Sequence, residues 1–169
     1  YGTIGGSSVQ IPNPGEIFSV LLTVSGNTAT VVSELRLTSR SLGYVNGLAL
    51  RGSDVWYAES GSIGVIPRFG GAATTRVSKA NTNIAGSFQS ITTDGRRIFV
   101  GTSHNAADRS NVWAFDANDS SPNVRGVALC TSSLSRAHSV FDMSLGRDGH
   151  VFLGCIGGVL FSVDATLPH

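Results

Sequence analysis

Three segments of the chain share one pattern, and this internal repeat constrains the fold more than any other feature. The segments are Asn46–Ala58, Gln89–Gly101 and Asp142–Gly154. In each, a short apolar stretch leads to a turn built on aspartate and glycine, and an apolar and aromatic run follows. Because glycine adopts a positive φ without steric cost, such a turn between two apolar runs predicts a β-hairpin. Each segment is therefore predicted to form an inner strand, a tight turn and a second strand.

Further strand patterns follow each hairpin. A third strand, with β-branched or aromatic residues at alternate positions, is predicted at Glu16–Thr23, Ser62–Arg68, Asn111–Asp116 and Gly158–Asp164. A shorter or more polar fourth strand is predicted at Thr28–Leu35, Thr74–Ser78 and Val124–Cys130. The third strands recur about every 46 to 49 residues, which is close to the period of a four-stranded propeller blade.

The predicted fold class is all-β, a single β-propeller segment of about three and a half four-stranded blades. Approximate blade boundaries are residues 1–40, 43–82, 87–131 and 139–166. Residues 1–4 match the end of a second strand, since Tyr1-Gly2 is of the same type as Tyr57-Ala58. The alternative is a β-sandwich, which also has many short strands but does not explain a repeated strand–turn–strand motif.

This blade count is short of the four to eight blades of a closed propeller. The chain could be a fragment, could pair with another chain or a second copy, or could close its last blade with its N-terminal strands. An open end leaves unpaired strand edges and an exposed apolar face, both of which favour association. We expect another protein chain, a second copy or missing sequence to complete the ring.

Composition argues against several classes of function. Charged residues make up 14% of the chain and the formal net charge is +1. The sequence therefore gives no indication of the basic surface that nucleic-acid binding requires. The apolar runs are much shorter than the roughly 20 residues of a membrane span.

Low charge with many small polar residues favours an extracellular, surface or lumenal protein, in which Asn118 would be a glycosylation acceptor. Cys130 and Cys155 are expected to be free thiols, although a secreted chain could join them.

One repeat resembles a known family. Gly47–Leu50, Val55–Ala58 and Ser62–Ile66 resemble the NHL-type and streptogramin-lyase-like propellers. Those repeats combine a glycine–apolar–alanine inner strand, an aromatic second strand and an isoleucine–glycine–x–isoleucine third strand. The other two repeats keep only the general pattern, and no Trp-Asp dipeptide indicates the WD40 family. The resemblance implies a fold class and identifies no function.

Equivalent polar residues are predicted near one mouth of a propeller channel. They open the inner strands or follow the second strands: Asn46, Gln89, Asp142, Glu59, Thr102 and Cys155. Carboxylate and amide oxygens suit a hard cation such as Ca²⁺, so the candidate metal ligands are Asn46, Glu59, Gln89 and Asp142. Such residues more often bond to nearby backbone groups. Recurring aromatic residues are predicted to form the core between blades: Trp56, Phe99, Trp113, Phe115, Phe152 and Phe161.

The family resemblance suggests two enzymatic roles. Calcium-dependent lactonase-like propellers hold their cation at a channel mouth, and lyase-like propellers rely on a loop histidine, for which His104 and His138 are the candidates. No nucleophile, zinc or phosphate-binding motif accompanies them. We therefore expect a non-catalytic propeller module for protein–protein interaction or scaffolding. The alternatives are a lyase- or lactonase-like enzyme with a divalent cation, and a glycan-binding propeller using Tyr44 and Tyr57.

Overall fold

A computed structural model of the chain describes residues 2–3, 15–38, 42–82, 84–103, 111–119, 125–127, 139–155 and 159–164. Its strands are β1 (Gly2–Thr3), β2 (Glu16–Ser25), β3 (Thr28–Arg36), β4 (Val45–Arg51), β5 (Asp54–Glu59), β6 (Ser62–Pro67), β7 (Thr74–Ser78), β8 (Phe88–Thr93), β9 (Arg97–Thr102), β10 (Val112–Asp116), β11 (Arg125–Val127), β12 (Val140–Leu145), β13 (His150–Cys155) and β14 (Val159–Asp164). A short 3-10 helix, Lys79–Asn81, follows β7.

These strands form four small antiparallel sheets in which neighbours in sequence are neighbours in space. The sheets are β1–β2–β3, β4–β5–β6–β7, β8–β9–β10–β11 and β12–β13–β14. The inner strand β4 packs against β8, and β8 packs against β12. Four small sheets stacked in succession confirm the predicted propeller blades. They also exclude the sandwich, which requires two larger sheets packed face to face.

The inner and second strands of the last three sheets are joined by the hairpins that the repeat predicts. Each hairpin turns at a glycine with a positive φ: 57° at Gly52, 89° at Gly95 and 83° at Gly149. In the third sheet the Asp94 carboxylate completes the turn, because its Oδ1 accepts hydrogen bonds from the backbone N–H groups of Arg96 (2.9 Å) and Arg97 (2.6 Å). The hairpins are therefore determined by local sequence.

A β-bulge interrupts each of these three hairpins near the start of its inner strand. Val45 pairs with Glu59 and Gly47 with Ala58, so that Asn46 is the extra residue. By the same criterion the bulged residues of the three sheets are Asn46, Gln89 and Phe141. The bulge thus recurs with the repeat.

The last hairpin is one residue longer than the other two, which changes one predicted equivalence. Gly101 pairs with Ser90, and its counterpart Gly154 pairs with Asp142. Asp142 therefore corresponds to Ser90 and not to Gln89. The prediction that Asp142 is equivalent to Asn46 and Gln89 is wrong by one position.

Apolar side chains fill the space between successive sheets in three clusters. Between the first and second sheets they include Ile17, Leu37, Leu42, Val45, Tyr57 and Ile66. Between the second and third they include Trp56, Ile63, Phe88, Ile91, Ile98 and Phe115, and between the third and fourth Phe99, Val112, Val140, Met143, Val151 and Leu153. The third and fourth sheets approach closely at Gly101, where an added Cβ atom would lie 2.6 Å from Cγ1 of Val140. Each sheet is thus held by its neighbours in sequence.

The two end sheets differ from the middle ones. In the described ranges the first sheet has no inner strand before β1, and the fourth has no outer strand after β14. Gly2 of β1 pairs with Ile17, as expected for the end of a second strand. The first and fourth sheets make no extended contact with each other among the described residues.

Candidate functional site

The predicted ring of polar residues begins at the ends of the second strands. Glu59, Thr102 and Cys155 do occupy equivalent positions, since each pairs with the residue that precedes the bulge of its sheet. The structure gives these three positions related but chemically different contacts.

Glu59 is a nearly buried carboxylate with partners for both oxygens. Its Oε1 accepts a hydrogen bond from the Gly43 backbone N–H at 2.6 Å, and its Oε2 accepts one from Ser62 Oγ at 2.6 Å. Gly43 belongs to the connection that leads into β4, so the carboxylate holds this connection against the end of β5. These bonds explain why an acidic residue is buried here, because a buried charge requires hydrogen-bonding partners.

In the third sheet the same connection is held by a pair of serines. The Ser87 backbone N–H donates to Ser103 Oγ at 2.8 Å, and the Ser103 N–H donates to the Ser87 carbonyl at 2.8 Å. Ser103 directly follows Thr102, which is fully buried. The neutral serine pair thus does in this sheet what the Glu59 carboxylate does in the preceding one.

In the fourth sheet the residue at the equivalent position forms a covalent cross-link. Cys155 is buried and disulfide-bonded, so the prediction of a free thiol at this residue is wrong. Cys130 is the other cysteine of the sequence and lies between β11 and β12, outside the described residues. Glu59, Cys155 and, in the third sheet, Ser103 next to Thr102 therefore anchor neighbouring chain segments, which is a structural role.

The other three metal candidates have contacts and exposures of their own. Asn46 Nδ2 donates to the Phe88 carbonyl at 2.7 Å and to Ser60 Oγ at 3.3 Å. Gln89 is half-buried, whereas Asp142 is exposed and accepts a hydrogen bond from the Met143 backbone N–H at 2.8 Å. In the part of the chain that the structure describes, no three His, Cys, Asp or Glu residues are grouped as metal ligands.

Two other groups of candidates have different outcomes. His104 and His138 lie outside the described residues, so their suggested role stays a prediction. Tyr57 is fully buried beneath the first sheet, and it therefore cannot present an aromatic surface to a glycan. Tyr44 is exposed.

The fourth sheet exposes a surface that the other sheets bury. We call the side of a sheet that packs on the next sheet its forward face and the opposite side its back face. The third strand of each sheet (β2, β6, β10 and β14) has one forward-facing residue at the same place in the strand pairing. These equivalent residues are Ile17, Ile63, Val112 and Leu160. Their exposed fractions are 1%, 1%, 6% and 73%. The position is buried wherever another sheet follows.

The second strands show the same difference. Trp56, Phe99 and Phe152 are equivalent, and their exposed fractions are 2%, 5% and 38%. The bulged residue Phe141 of the same sheet is also exposed. We call Phe141, Phe152 and Leu160 the open face. Phe152 was predicted to lie in the core between blades; it has the residue type of that core but no covering sheet in the described residues.

Comparisons with known proteins support the fold. No protein-family model and no curated protein matches the sequence. Solved structures with a similar fold include a nidogen/laminin complex, at 17% identity and a TM-score of 0.60. Two others are the extracellular domain of a one-component system from B. thetaiotaomicron, at 16% identity and a TM-score of 0.61, and YCF48 bound to a D1 peptide, at 14% identity and a TM-score of 0.59. The matches cover 83%, 94% and 96% of this chain.

This chain spans only part of those proteins, namely 50%, 22% and 54% of their respective lengths. At such low identity the similarity shows the fold alone. The described residues contain no helix with the length and hydropathy needed to cross a membrane. Sheets, register and solved structures together establish the chain as a series of β-propeller blades.

Proposed function

We propose that this chain is a non-catalytic propeller module that binds a protein partner through the open face of its fourth sheet. The observation that carries the proposal is the exposure of Leu160 at a position that three preceding sheets bury. Large apolar side chains that project together from a sheet favour contact with another protein, because burying them removes apolar surface from water.

The contacts of the polar candidates support the non-catalytic part of the proposal. The Glu59 carboxylate and the Asn46 amide bond to groups of the chain itself, and these bonds connect neighbouring segments. Among the similar solved structures, one is a nidogen/laminin complex and another is YCF48 with a bound peptide. Their names describe contacts with other polypeptides, which is the type of function proposed here.

Site-specific photo-crosslinking tests this function. Phe152 is replaced by p-benzoylphenylalanine, and the purified chain is irradiated in an extract of the organism that encodes it. We expect a covalent adduct with a polypeptide that mass spectrometry maps to residue 152. The matched control carries the same amino acid at Leu50, which is exposed at the far end of β4 and belongs to no open face.

The control and a second substitution determine the outcome. An adduct at Phe152 that disappears when Leu160→Asp is added supports the open face as the binding surface. Equal adducts at Phe152 and Leu50 indicate non-specific labelling and contradict the proposal. Failure to obtain any adduct at Phe152 also contradicts it.

A further inference from the structure

We propose that Asn118 carries an N-linked glycan, attached to its side-chain nitrogen Nδ2. This modification goes beyond the proposed function and does not depend on the open face. Asn118, Asp119 and Ser120 form the acceptor motif of N-glycosylation, asparagine–x–serine or threonine, and no other asparagine of the sequence stands in such a motif. A modified asparagine must be accessible, must have a free Nδ2 and must belong to a chain that enters the compartment where glycans are attached.

Asn118 lies in an exposed turn directly after β10. The turn is closed by a backbone bond, since the Asp119 N–H donates to the Asp116 carbonyl at 3.2 Å. The Asn118 N–H donates to the Asp116 carboxylate Oδ1 at 2.9 Å. Both Asn118 and Asp119 are exposed, whereas Ala117 before them is buried. A bulky hydrophilic glycan can be added at such a surface turn without displacing an apolar core.

The Asn118 side chain is bonded through its oxygen and not through its nitrogen. Arg51 of β4 donates from Nη2 to Asn118 Oδ1 at 2.7 Å and from Nε to the Gly95 carbonyl at 2.7 Å. A guanidinium group can only donate, so that it must face the amide oxygen. Within the described ranges Asn118 Nδ2 has no hydrogen-bond partner. Attachment of a sugar to Nδ2 keeps the amide carbonyl, and therefore keeps the bond from Arg51.

A second arginine of the same sheet fixes the backbone of this turn. Arg76 of β7 donates from Nη2 to the Asp119 carbonyl at 2.6 Å and to the Ala117 carbonyl at 3.3 Å. Arg51 and Arg76 thus hold the turn of the third sheet against the second sheet. The glycan is therefore expected at the boundary of these two sheets. The open face belongs to the fourth sheet, so that glycan and partner occupy different parts of the chain.

The disulfide at Cys155 is independent evidence for the compartment. Disulfides form and persist in oxidising environments, such as the lumen of the secretory pathway and the cell exterior. The acceptor motif is used in the same environment, in surface loops of secreted proteins. Cys155 is bonded and buried at the end of β13 in the fourth sheet, whereas Asn118 lies in a turn of the third. Two unrelated features of the chain therefore point to export.

The donor of the glycan belongs to the class of lipid-linked oligosaccharide diphosphates. Nδ2 of Asn118 attacks C1 of the first sugar, so that a C1–N bond forms and the bond between C1 and the diphosphate oxygen breaks. The lipid diphosphate leaves with the electron pair of that bond, and one hydrogen of Nδ2 is released as a proton. No group is oxidised or reduced. The product is an N-glycosylated amide whose Oδ1 still accepts the bond from Arg51.

Isotope labelling during glycan release tests the assignment. The protein is purified from the organism that encodes it and treated with peptide N-glycosidase in heavy-oxygen water. This enzyme converts a glycosylated asparagine to aspartate and takes the new oxygen from the water. We expect mass spectrometry to show heavy oxygen at residue 118 and the loss of the glycan mass from the intact chain. Asn27 is the internal control, because it lies in an exposed turn but has Ala29 where the motif requires serine or threonine.

A variant without the motif completes the test. Ser120→Ala keeps Asn118 but removes the motif, so the label should be absent from this variant when the same organism expresses it. An unlabelled Asn118 in the protein with the natural sequence, or a label that persists in Ser120→Ala, would overturn the assignment. Labels at both Asn118 and Asn27 would show spontaneous deamidation and would overturn it too. The crosslink at Phe152 judges the proposed function separately.

Discussion

The side-chain amide of Asn46 donates a hydrogen bond of 2.7 Å to the backbone carbonyl of Phe88. Asn46 is the bulged residue of the second sheet, and Phe88 begins the inner strand of the third, so this bond joins two blades. We predict that Asn46→Asp lowers the free energy of unfolding by about 1–2 kcal/mol, because the carboxylate has the same shape but cannot donate. Urea denaturation measures the loss. An unchanged midpoint would show that the bond is not needed for blade packing.

Equivalent aromatic residues should differ in their contribution to stability. Phe99→Ala removes a ring from the cluster between the third and fourth sheets and should cost about 3–4 kcal/mol. Phe152→Ala removes the equivalent ring from the open face and should cost less than about 1 kcal/mol in dilute monomer. Urea denaturation of both variants at low protein concentration makes the comparison. Equal losses would contradict the difference in burial between the two positions.

Replacing Glu59 should separate its anchoring role from cation binding. Glu59→Gln keeps the side-chain size but replaces one acceptor oxygen with an NH₂ group, so that one of the bonds from the Gly43 N–H and Ser62 Oγ loses its acceptor. The free energy of unfolding should fall by about 1–2 kcal/mol. Thermal unfolding with and without Ca²⁺ should then show the same loss. If Ca²⁺ raised the melting temperature of the unmodified chain but not of Glu59→Gln, the cation alternative would replace the anchoring interpretation.

The Asp94 turn should make part of the stability depend on pH. Burial raises the pKa of this carboxyl, but hydrogen bonds from the Arg97 and Arg96 backbone amides and the Arg97 guanidinium outweigh it and hold the pKa below the ordinary value of 3.8. A lowered folded-state pKa means that the stabilisation is present above about pH 4 and is lost as the pH falls through the folded pKa.

We therefore predict that Asp94→Asn costs about 1 kcal/mol at pH 7, and that its difference from the unmodified chain shrinks below about pH 4. Denaturant unfolding at a series of pH values measures this difference. Asp119→Asn, in an exposed turn after β10, is the control. A difference between Asp94→Asn and the unmodified chain that stays constant down to about pH 2 would contradict the assignment.

The disulfide at Cys155 should stabilise the fourth sheet. Cys155→Ser should lower the free energy of unfolding by about 2–4 kcal/mol, because the unfolded chain gains conformational freedom when the cross-link is removed. A reducing agent should destabilise the unmodified chain by a similar amount and leave the variant unaffected. Thiol titration of the denatured, unreduced protein provides a direct check, and one or more reactive thiols would contradict the bond.

The strands and hairpins could be predicted because their signals are local. Alternating apolar residues and a glycine at each turn are sufficient to identify β4, β5, β8, β9, β12 and β13, whatever the sheets pack against. The equivalence of Glu59, Thr102 and Cys155 was predictable for the same reason, since each ends a strand that follows the repeat. The contacts of these residues were not, because Gly43 and Ser62, the partners of Glu59, are identified only by the folded chain.

Asp142 shows where sequence alignment fails. Aligning the repeats from their ends makes it the counterpart of Gln89, but a turn one residue longer changes the pairing. Since side chains alternate between the two faces of a strand, a shift of one residue changes which face a side chain occupies. The pairing of strands, and not the spacing of residues, determines this.

The sequence by itself determined that the chain forms β-hairpins in a repeat of propeller blades, because strand pattern and turn chemistry act over a few residues. Only the tertiary structure decided which of the repeated apolar residues are buried. Ile63 and Leu160 have equivalent positions and similar chemistry, yet one is covered by a neighbouring sheet and the other is exposed. Burial depends on what packs against a residue, and that contact involves residues distant in the chain.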